Sequence, residues 1–419
     1  MTRERLEEVK DQIYKCCRCG YCRDMVRARD NTKMECPNRE LTGGFDSYCA
    51  IGRNWVARQV LENRVDPTEF TDEFIDHLFS DLLCGNCTLH CGVIKPDAWE
   101  IFPDTTYEDN AIDINEITRA LRGLVIQEGN PPAEVRDVLE NIYEQNNPQG
   151  EPRSKRDSFT KNLEFEPKNA KEEDVEVLLF VGSVASYEEE SKEIAAKIAR
   201  ILNEAGVNFG ILGNEEVDSG WLTYDLGEYG LFEELAEKNL EMIKESDPKE
   251  IVFVSPHDYS VFRNRYPTYL GEEWEDLDVS LKHYTEYLKD LVDEGKLEIP
   301  NGFSQSVAYH DSCELGRRNQ IFDAPRKLLE ATGADLKEME LSRRNSFCCG
   351  GGGGLLWYEP EHEPKVENER VNQALETDAE ILAVACPICR QMLEDGAKSV
   401  DGEIEVMDIA EVIDKSISQ

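Results

Sequence analysis

The sequence predicts a multidomain α+β protein: an all-helical N-terminal domain over residues 1–146, then two duplicated α/β domains. Three observations predict this. Cysteines gather within the first 91 residues and again after residue 312, with none between 92 and 312. At Val175 the hydrophobic pattern changes from helical spacing to short apolar runs that alternate with amphipathic helices. About 130 residues later that alternation repeats.

In the helical part, residues 3–15 place Leu6, Val9 and Ile13 on one face, with Thr2 as a candidate cap. After Pro67 and Thr68, the positions Phe74, Ile75, Leu78, Phe79 and Leu82 describe a helix that leads into a cysteine loop. Ile114, Ile117, Leu121 and Val125 mark another. Val135, Val138, Leu139 and Ile142 mark a fourth, opened by Pro131 and Pro132. The polar stretch 147–174, with its Pro and Gly, reads as a linker.

The α/β part then divides into 175–298 and 299–419. The first copy runs VEVLLFV, SKEIAAKIARILNEAG, FGILG, FEELAEKNLEMIKES, EIVFVSP. The second runs SVAYHD, APRKLLEATGA, LKEMEL, VENERVNQALETDA, EILAVACP. Strands alternating with helices argue for mainly parallel sheets. The cysteines of the second copy are Cys313, Cys348, Cys349, Cys386 and Cys389. An offset of 130 or 131 carries them onto Ser183, Asp218, Ser219, Ser255 and Asp258. Pro256 and Pro387 sit alike between the last two markers. The first copy is a duplicate without thiols.

The net charge of −41, from 87 acidic and 46 basic residues, makes nucleic acid and anionic lipid poor partners. The acidity is spread along the chain, which suits either a halophilic protein in a salty cytosol or an ordinary acidic one. No run of 18 apolar residues is present, so no direct membrane span is expected. The N-terminus lacks the pattern of a secretory signal. Fourteen cysteines then point to a reducing, cytoplasmic setting, in which grouped thiols hold metal.

Cys16-x2-Cys19-x2-Cys22 is the spacing of three thiolates on one [4Fe–4S] cubane. The place four residues after Cys22 is Val26, and the next Cys-Pro is Cys36-Pro37. Cys84-x2-Cys87-x3-Cys91 repeats the latter part of the motif, with Asp81 at its first position. Crossing ligands in the ferredoxin manner assigns Cys16, Cys19, Cys22 and Cys91 to a first cubane. Cys84, Cys87 and Cys36 go to a second, completed by Cys49 or, as an oxygen ligand, Asp81. Thiolate suits soft iron better, which favours Cys49. Cys17 is a bystander and His90 loop filler. Paired zinc ribbons are the competing reading, but they call for four-ligand sets.

The last group sets the adjacent pair Cys348–Cys349 before Gly350–Gly354, a run that would let backbone approach a bulky cofactor. No Lys-Ser/Thr follows, so it is not a phosphate loop. Cys386 and Cys389 follow the buried strand EILAVA, at the carboxyl end where α/β sheets carry sites. Four ligands on one zinc is the alternative for this group.

The motifs YHDSCELGR, FCCGGGGG and ACPIC resemble the CCG cysteine-rich domains of the D and B subunits of heterodisulfide reductase and their relatives. Those relatives include the iron–sulfur subunits of glycolate and lactate oxidases. The resemblance covers nearly the whole chain. It implies a two-[4Fe–4S] ferredoxin domain followed by paired CCG domains, the first degenerate. It also implies one noncubane [4Fe–4S] cluster on Cys313, Cys348, Cys349, Cys386 and Cys389. His310 and Asp311 precede Cys313, as groups that protonate a leaving thiolate or polarise the cluster, or as a buried turn. Arg317 is either a charge-neutralising residue or a surface salt bridge, and His257 is no ligand. Since Ser and Asp replace every ligand of the first copy, two-cluster disulfide cleavage is not expected.

The implied function is an electron-transfer subunit working with a flavoprotein dehydrogenase or oxidase subunit, or with a membrane cytochrome or quinone subunit. Attachment to the inner face of the membrane would come through that partner. No G-x-G-x-x-G follows a strand, so NAD or FAD would sit on another polypeptide. The alternatives are a catalytic thiol–disulfide reductase, with the five cysteines and His310 acting on a disulfide substrate, and a zinc-holding scaffold.

Overall fold

The computed structural model describes residues 2–20, 22, 36–38, 44–91, 112–360 and 365–417. Val26 lies outside them. They group into two compact units. One comprises Met1–Asp137, Leu222–Tyr229 and Phe347–Glu369. The other comprises Val138–Trp221, Gly230–Ser346 and Arg370–Gln419.

The first unit is helical, and among the described residues no strand precedes Lys168. Its centre is the helix Ile114–Gln127, with Ile117, Leu121 and Leu124 buried and Asp113 capping it by accepting from the Asn115 N–H at 3.0 Å. The helices Thr2–Glu8, Ala50–Leu61 and Asp72–Phe79 pack around it. Thr71 caps the last of these at the Phe74 N–H, 3.2 Å. The single helix expected over residues 3–15 is broken at Val9 into Thr2–Glu8 and Lys10–Lys15. The helix expected through Leu82 stops at Phe79.

The second unit holds two parallel sheets. The first contains β1 (Lys168–Asn169), β2 (Val177–Phe180), β3 (Phe209–Ile211), β4 (Glu250–Phe253) and β5 (Ser280–His283), in the order β1-β3-β2-β4-β5. The second contains β6 (Ser306–Tyr309), β7 (Asp335–Lys337), β8 (Ile381–Val384) and β9 (Glu405–Asp408), in the order β7-β6-β8-β9. Apart from β1, the two orders are the same, and every pairing is parallel. The central strands β2 and β8 are buried along their whole length, as the apolar runs VLLF and ILAV require.

Part of the segment expected as a linker is built into this unit. Phe159 is buried, and β1 pairs with β3 through Lys168↔Gly210 and Asn169↔Ile211.

Candidate functional site

The N-terminal cysteines sit on loops held by the helical unit. Cys16, Cys19, Cys22 and Cys91 line one pocket, together with Cys17, Ala50, Ile51, Ile112 and Ile114. This is the set that ligand crossing puts around the first cubane, although Cys17 also reaches the pocket wall. Burial, followed by the charges of Cys49, Cys91, Cys16 and Cys19, pushes the Cys22 thiol up to about 12. Burial and the crowding of sulfurs both oppose ionisation at Cys22. A cationic metal core is what would relieve them, so the donor set fits an iron–sulfur group.

A second gathering surrounds Arg53, a fully buried cation on the helix Ala50–Leu61. Burial opposes its charge, while Asp81, Cys87, Cys36 and Cys49 favour it. Asp81 pairs with Arg53 and accepts the Leu83 N–H at 2.8 Å, so its carboxylate already has two partners. The oxygen-ligand alternative is therefore the weaker one. Cys49 is buried at the start of that helix and is a neighbour of both Cys22 and Arg53. Burial, then Asp81 and Cys84, holds the Cys87 thiol well above its ordinary range. His90 is the C-cap of the short helical turn Asn86–Leu89.

The segment before Cys84 is fixed from behind. Arg122 is fully buried and directs all five of its N–H donors to carbonyl oxygens. They belong to Leu78 (3.1 Å), Phe79 (3.0 Å), Asp81 (2.8 Å), Asp225 (3.0 Å) and Gly353 (2.8 Å). Asn115 adds a bond to the Leu83 carbonyl at 2.8 Å. Cys348 and Cys349 are buried just ahead of the glycine run, and the Gly350 N–H donates to Cys348 Sγ at 3.4 Å. A Cβ on Gly352 would collide with the Leu82 carbonyl oxygen, and one on Gly353 with that of Asp81. At these two positions the run admits the backbone of the Cys84 loop, where a cofactor is the expectation from sequence.

In the second unit, Cys313 opens a π-helical turn, Cys313–Arg318, after β6. Cys386 is the N-cap of the helix Pro387–Ser399 after β8, and Cys389 lies in its first turn. All three thiols are buried and unbridged. A helix N-terminus favours a thiolate there. The ligand atoms of His310 and Cys389 lie within 4.8 Å of each other. Arg370 Nε donates to His310 Nδ1 at 3.0 Å, and a guanidinium can only donate. The imidazole proton is therefore on Nε2, which has no hydrogen-bond partner among the described residues.

Asp311 and Arg317 are both buried and hydrogen-bonded to neighbouring chain. Asp311 takes a bidentate pair from Arg326 at 2.7 and 2.9 Å and the Arg343 N–H at 2.6 Å. Arg317, only 2% exposed, donates to the carbonyls of Arg344 (3.1 Å) and Ser346. It is not a surface salt bridge.

The marker positions of the first copy are each engaged in buried hydrogen bonds. Ser183 Oγ donates to Asp218 at 2.5 Å and Ser219 Oγ to Asp258 at 2.5 Å. Ser255 accepts the His257 N–H at 3.3 Å, and Arg156 bridges Glu216 (3.0 Å) and Ser183 (3.3 Å). Burial, with Asp218 adding to it, pushes Asp258 up to about 8. Hydroxyls and carboxylates that satisfy one another fill the place where the second copy keeps thiols.

Sequence reasoning set His257 aside as no ligand and did not foresee its contact with Cys386. It is buried in the first copy beside Trp221, with ring centroids 4.4 Å apart, and hydrogen-bonds Cys386 of the second copy. Burial works against its charge, but the bond to Cys386 and the charges of Cys386, Glu314 and Cys313 outweigh it and raise His257 to about 10. No local signal marks it, because the contact joins residues 129 positions apart.

Comparison with known proteins agrees with this division. The cysteine-rich domain family abbreviated CCG matches twice, over residues 177–262 and 307–394. FadF of Bacillus subtilis, described as a probable iron-sulfur-binding oxidoreductase, is 36% identical over 97% of this chain and 60% of its own length. EtfAB:quinone oxidoreductase of Syntrophomonas wolfei is 34% identical over 96% of this chain and 58% of its own length. The D subunit of the dihydromethanophenazine:CoB–CoM heterodisulfide reductase of Methanosarcina mazei is 29% identical over 97% and 94%. The chain thus spans about three fifths of the first two relatives and nearly all of the third. Among the described residues, no helix is long and apolar enough to cross a membrane.

Proposed function

Since the chain is a protein of the CCG cysteine-rich class, related to the D subunit of heterodisulfide reductase and to FadF-type iron–sulfur oxidoreductases, we propose that it is the electron-transfer part of a larger oxidoreductase. Cys16, Cys19, Cys22 and Cys91 would hold a first [4Fe–4S] cubane, and Cys36, Cys49, Cys84 and Cys87 a second. Cys313, Cys348, Cys349, Cys386 and Cys389 would hold the noncubane cluster of the CCG motif. Such groups, when bound, supply one-electron redox steps at potentials set by their surroundings.

The observation that carries this reading is the pocket walled by Cys16, Cys19, Cys22 and Cys91, which gathers thiols from both cysteine groups. The chain's own residues do the rest. Arg53 sets a buried positive charge beside Cys87, Cys36 and Cys49, which favours their thiolate forms. His257 hydrogen-bonds Cys386, and a ring nitrogen of the buried His310 lies within 4.8 Å of Cys389 Sγ. Donors of this kind stabilise negative charge on sulfur. The filled first-copy network disfavours disulfide cleavage shared between two equivalent clusters.

The partners we propose follow the relative named for oxidoreduction between EtfAB and quinone: a flavoprotein on one side and a quinone-linked subunit on the other. The test is anaerobic. The protein is reduced with a reduced flavoprotein and reoxidised with a water-soluble quinone, while absorption near 400 nm is followed. Bleaching and recovery that depend on both partners are expected. Turnover with a small disulfide and no response to quinone would favour the thiol–disulfide reductase instead.

A further inference from the structure

The helical unit carries a surface that the functional reading does not use. Acids outnumber bases 87 to 46 over the whole chain, yet residues 14–19 and 50–64 set five cations, Lys15, Arg18, Arg53, Arg58 and Arg64, against Glu62 alone. Arg53 is buried, while Lys15, Arg18 and Arg64 are exposed and Arg58 is partly so. Two aromatic rings gather these cations on one face. The Arg18 guanidinium stacks 3.5 Å from the ring centroid of Trp55, and that of Arg58 lies 4.9 Å from Tyr14. Trp55 and Tyr14 nevertheless remain 40% and 42% exposed, well outside the usual burial of such large rings. Arg58 and Arg64 share Glu62 at 2.8 and 3.1 Å, so the patch keeps a net positive charge. Ile51, Trp55 and Arg58 follow one stripe of the helix Ala50–Leu61. Ile51, at the start of that stripe, lines the pocket of Cys16, Cys19, Cys22 and Cys91.

We propose that this patch is the docking surface for the flavoprotein partner, and that it takes a face of that protein rich in carboxylates. The proposal rests on the reading above, in which the chain works with such a partner. Arginine, tryptophan and tyrosine are the side chains that most often anchor protein interfaces, since each joins a large contact area to a charged or polar tip. Stacking on the rings holds two of the guanidiniums in place beforehand, which lowers the entropy lost on binding. The sign of the charge selects the partner. The chain as a whole repels an acidic protein, so a local island of cations both steers such a protein and fixes where it lands.

The experiment titrates the iron-loaded full chain with EtfAB of Syntrophomonas wolfei, the flavoprotein in the name of that relative, by anaerobic calorimetry at low and high salt. Binding that weakens as salt rises is expected. Arg58→Glu and Trp55→Ala should each raise Kd by roughly tenfold or more, the effect of a central interface residue, at unchanged iron content. Lys249→Glu makes the same change of charge at an exposed lysine of the other unit and should leave Kd nearly unaltered. Parental affinity in both Arg58→Glu and Trp55→Ala, or binding that salt strengthens, would overturn the assignment. So would a parent chain that fails to bind EtfAB, or that pairs with a second copy of itself through the patch instead. The two readings fail separately. A chain without iron–sulfur absorption that still binds EtfAB through these residues loses the electron-transfer function and keeps the docking surface. A chain fully loaded with iron whose affinity ignores both substitutions keeps the function and loses the surface.

Discussion

At the scale of single residues, the sequence marks thiols well and marks the groups that tune them poorly. The spacing Cys16-x2-Cys19-x2-Cys22 points to a shared centre, and Cys91 lines the same pocket. Cys91→Ala is therefore expected to lower bound iron by about four atoms per chain, the content of one cubane, while Cys17→Ala leaves iron unchanged; metal analysis reads both. His257 shows why the tuning groups are illegible. Its neighbours in sequence are Pro256 and Asp258, and only folding brings it to Cys386. Replacing it with Phe removes a hydrogen bond that stabilises negative charge on sulfur, which favours the oxidised state. The potential of the C-terminal centre should fall while those of the cubanes stay fixed, as read by an EPR-monitored redox titration. An unshifted potential would show that the bond has no electronic consequence.

At the scale of elements, apolar runs such as VLLF and ILAV announce the central strands, and the repeat announces their common order. The strands β5 (SLKH) and β9 (EVMD) escape because each is short, carries charged residues and lies at a sheet edge. No periodicity survives in four residues of that kind. The first-copy network belongs to this scale as well. Asp258 is about 8 in the fold and would be near 3.8 once unfolded. Between those values the folded chain holds a proton that the unfolded chain has released, so this group's contribution makes stability fall as pH rises from about 4 to about 8. Asp258→Asn should flatten that slope. At pH 8 it should raise the melting temperature by ~2–4 °C for each ~1 kcal/mol gained, measured by circular dichroism. A steeper slope in the variant would reverse the assignment of which state holds the proton.

Arg122 acts on several elements at once, and nothing in RALRGLV distinguishes it from a solvated helix charge. Its five carbonyl partners come from three separate stretches of chain, which only a fold can assemble. Arg122→Met would leave buried carbonyls unpaired at ~1–3 kcal/mol each, and a total loss of at least ~3 kcal/mol is expected in denaturant unfolding. Lysine, with one nitrogen in place of three, should not rescue it. A stable Arg122→Met protein would mean that water or neighbouring groups replace those bonds without cost.

At the scale of the whole molecule, one duplicated α/β plan has been put to two uses. The second copy keeps five cysteines. The first keeps the same strand order while serines, aspartates and an arginine satisfy one another where thiols would stand, and it contributes His257 to the second copy's Cys386. The division of the chain into a cysteine-bearing helical part and two sheets is legible from the cysteine map and the change of hydrophobic period. The way Leu222–Tyr229 and Phe347–Glu369 group with the helical residues is not, since that depends on side chains such as Arg122 and Tyr358.

The most direct measurement is the metal content of the chain purified without oxygen, taken together with its EPR spectrum after reduction. About twelve irons per chain, little zinc, and a C-terminal signal distinct from those of two cubanes are expected. Stoichiometric zinc in a colourless protein would contradict the assignment of these thiols to iron and sulfide.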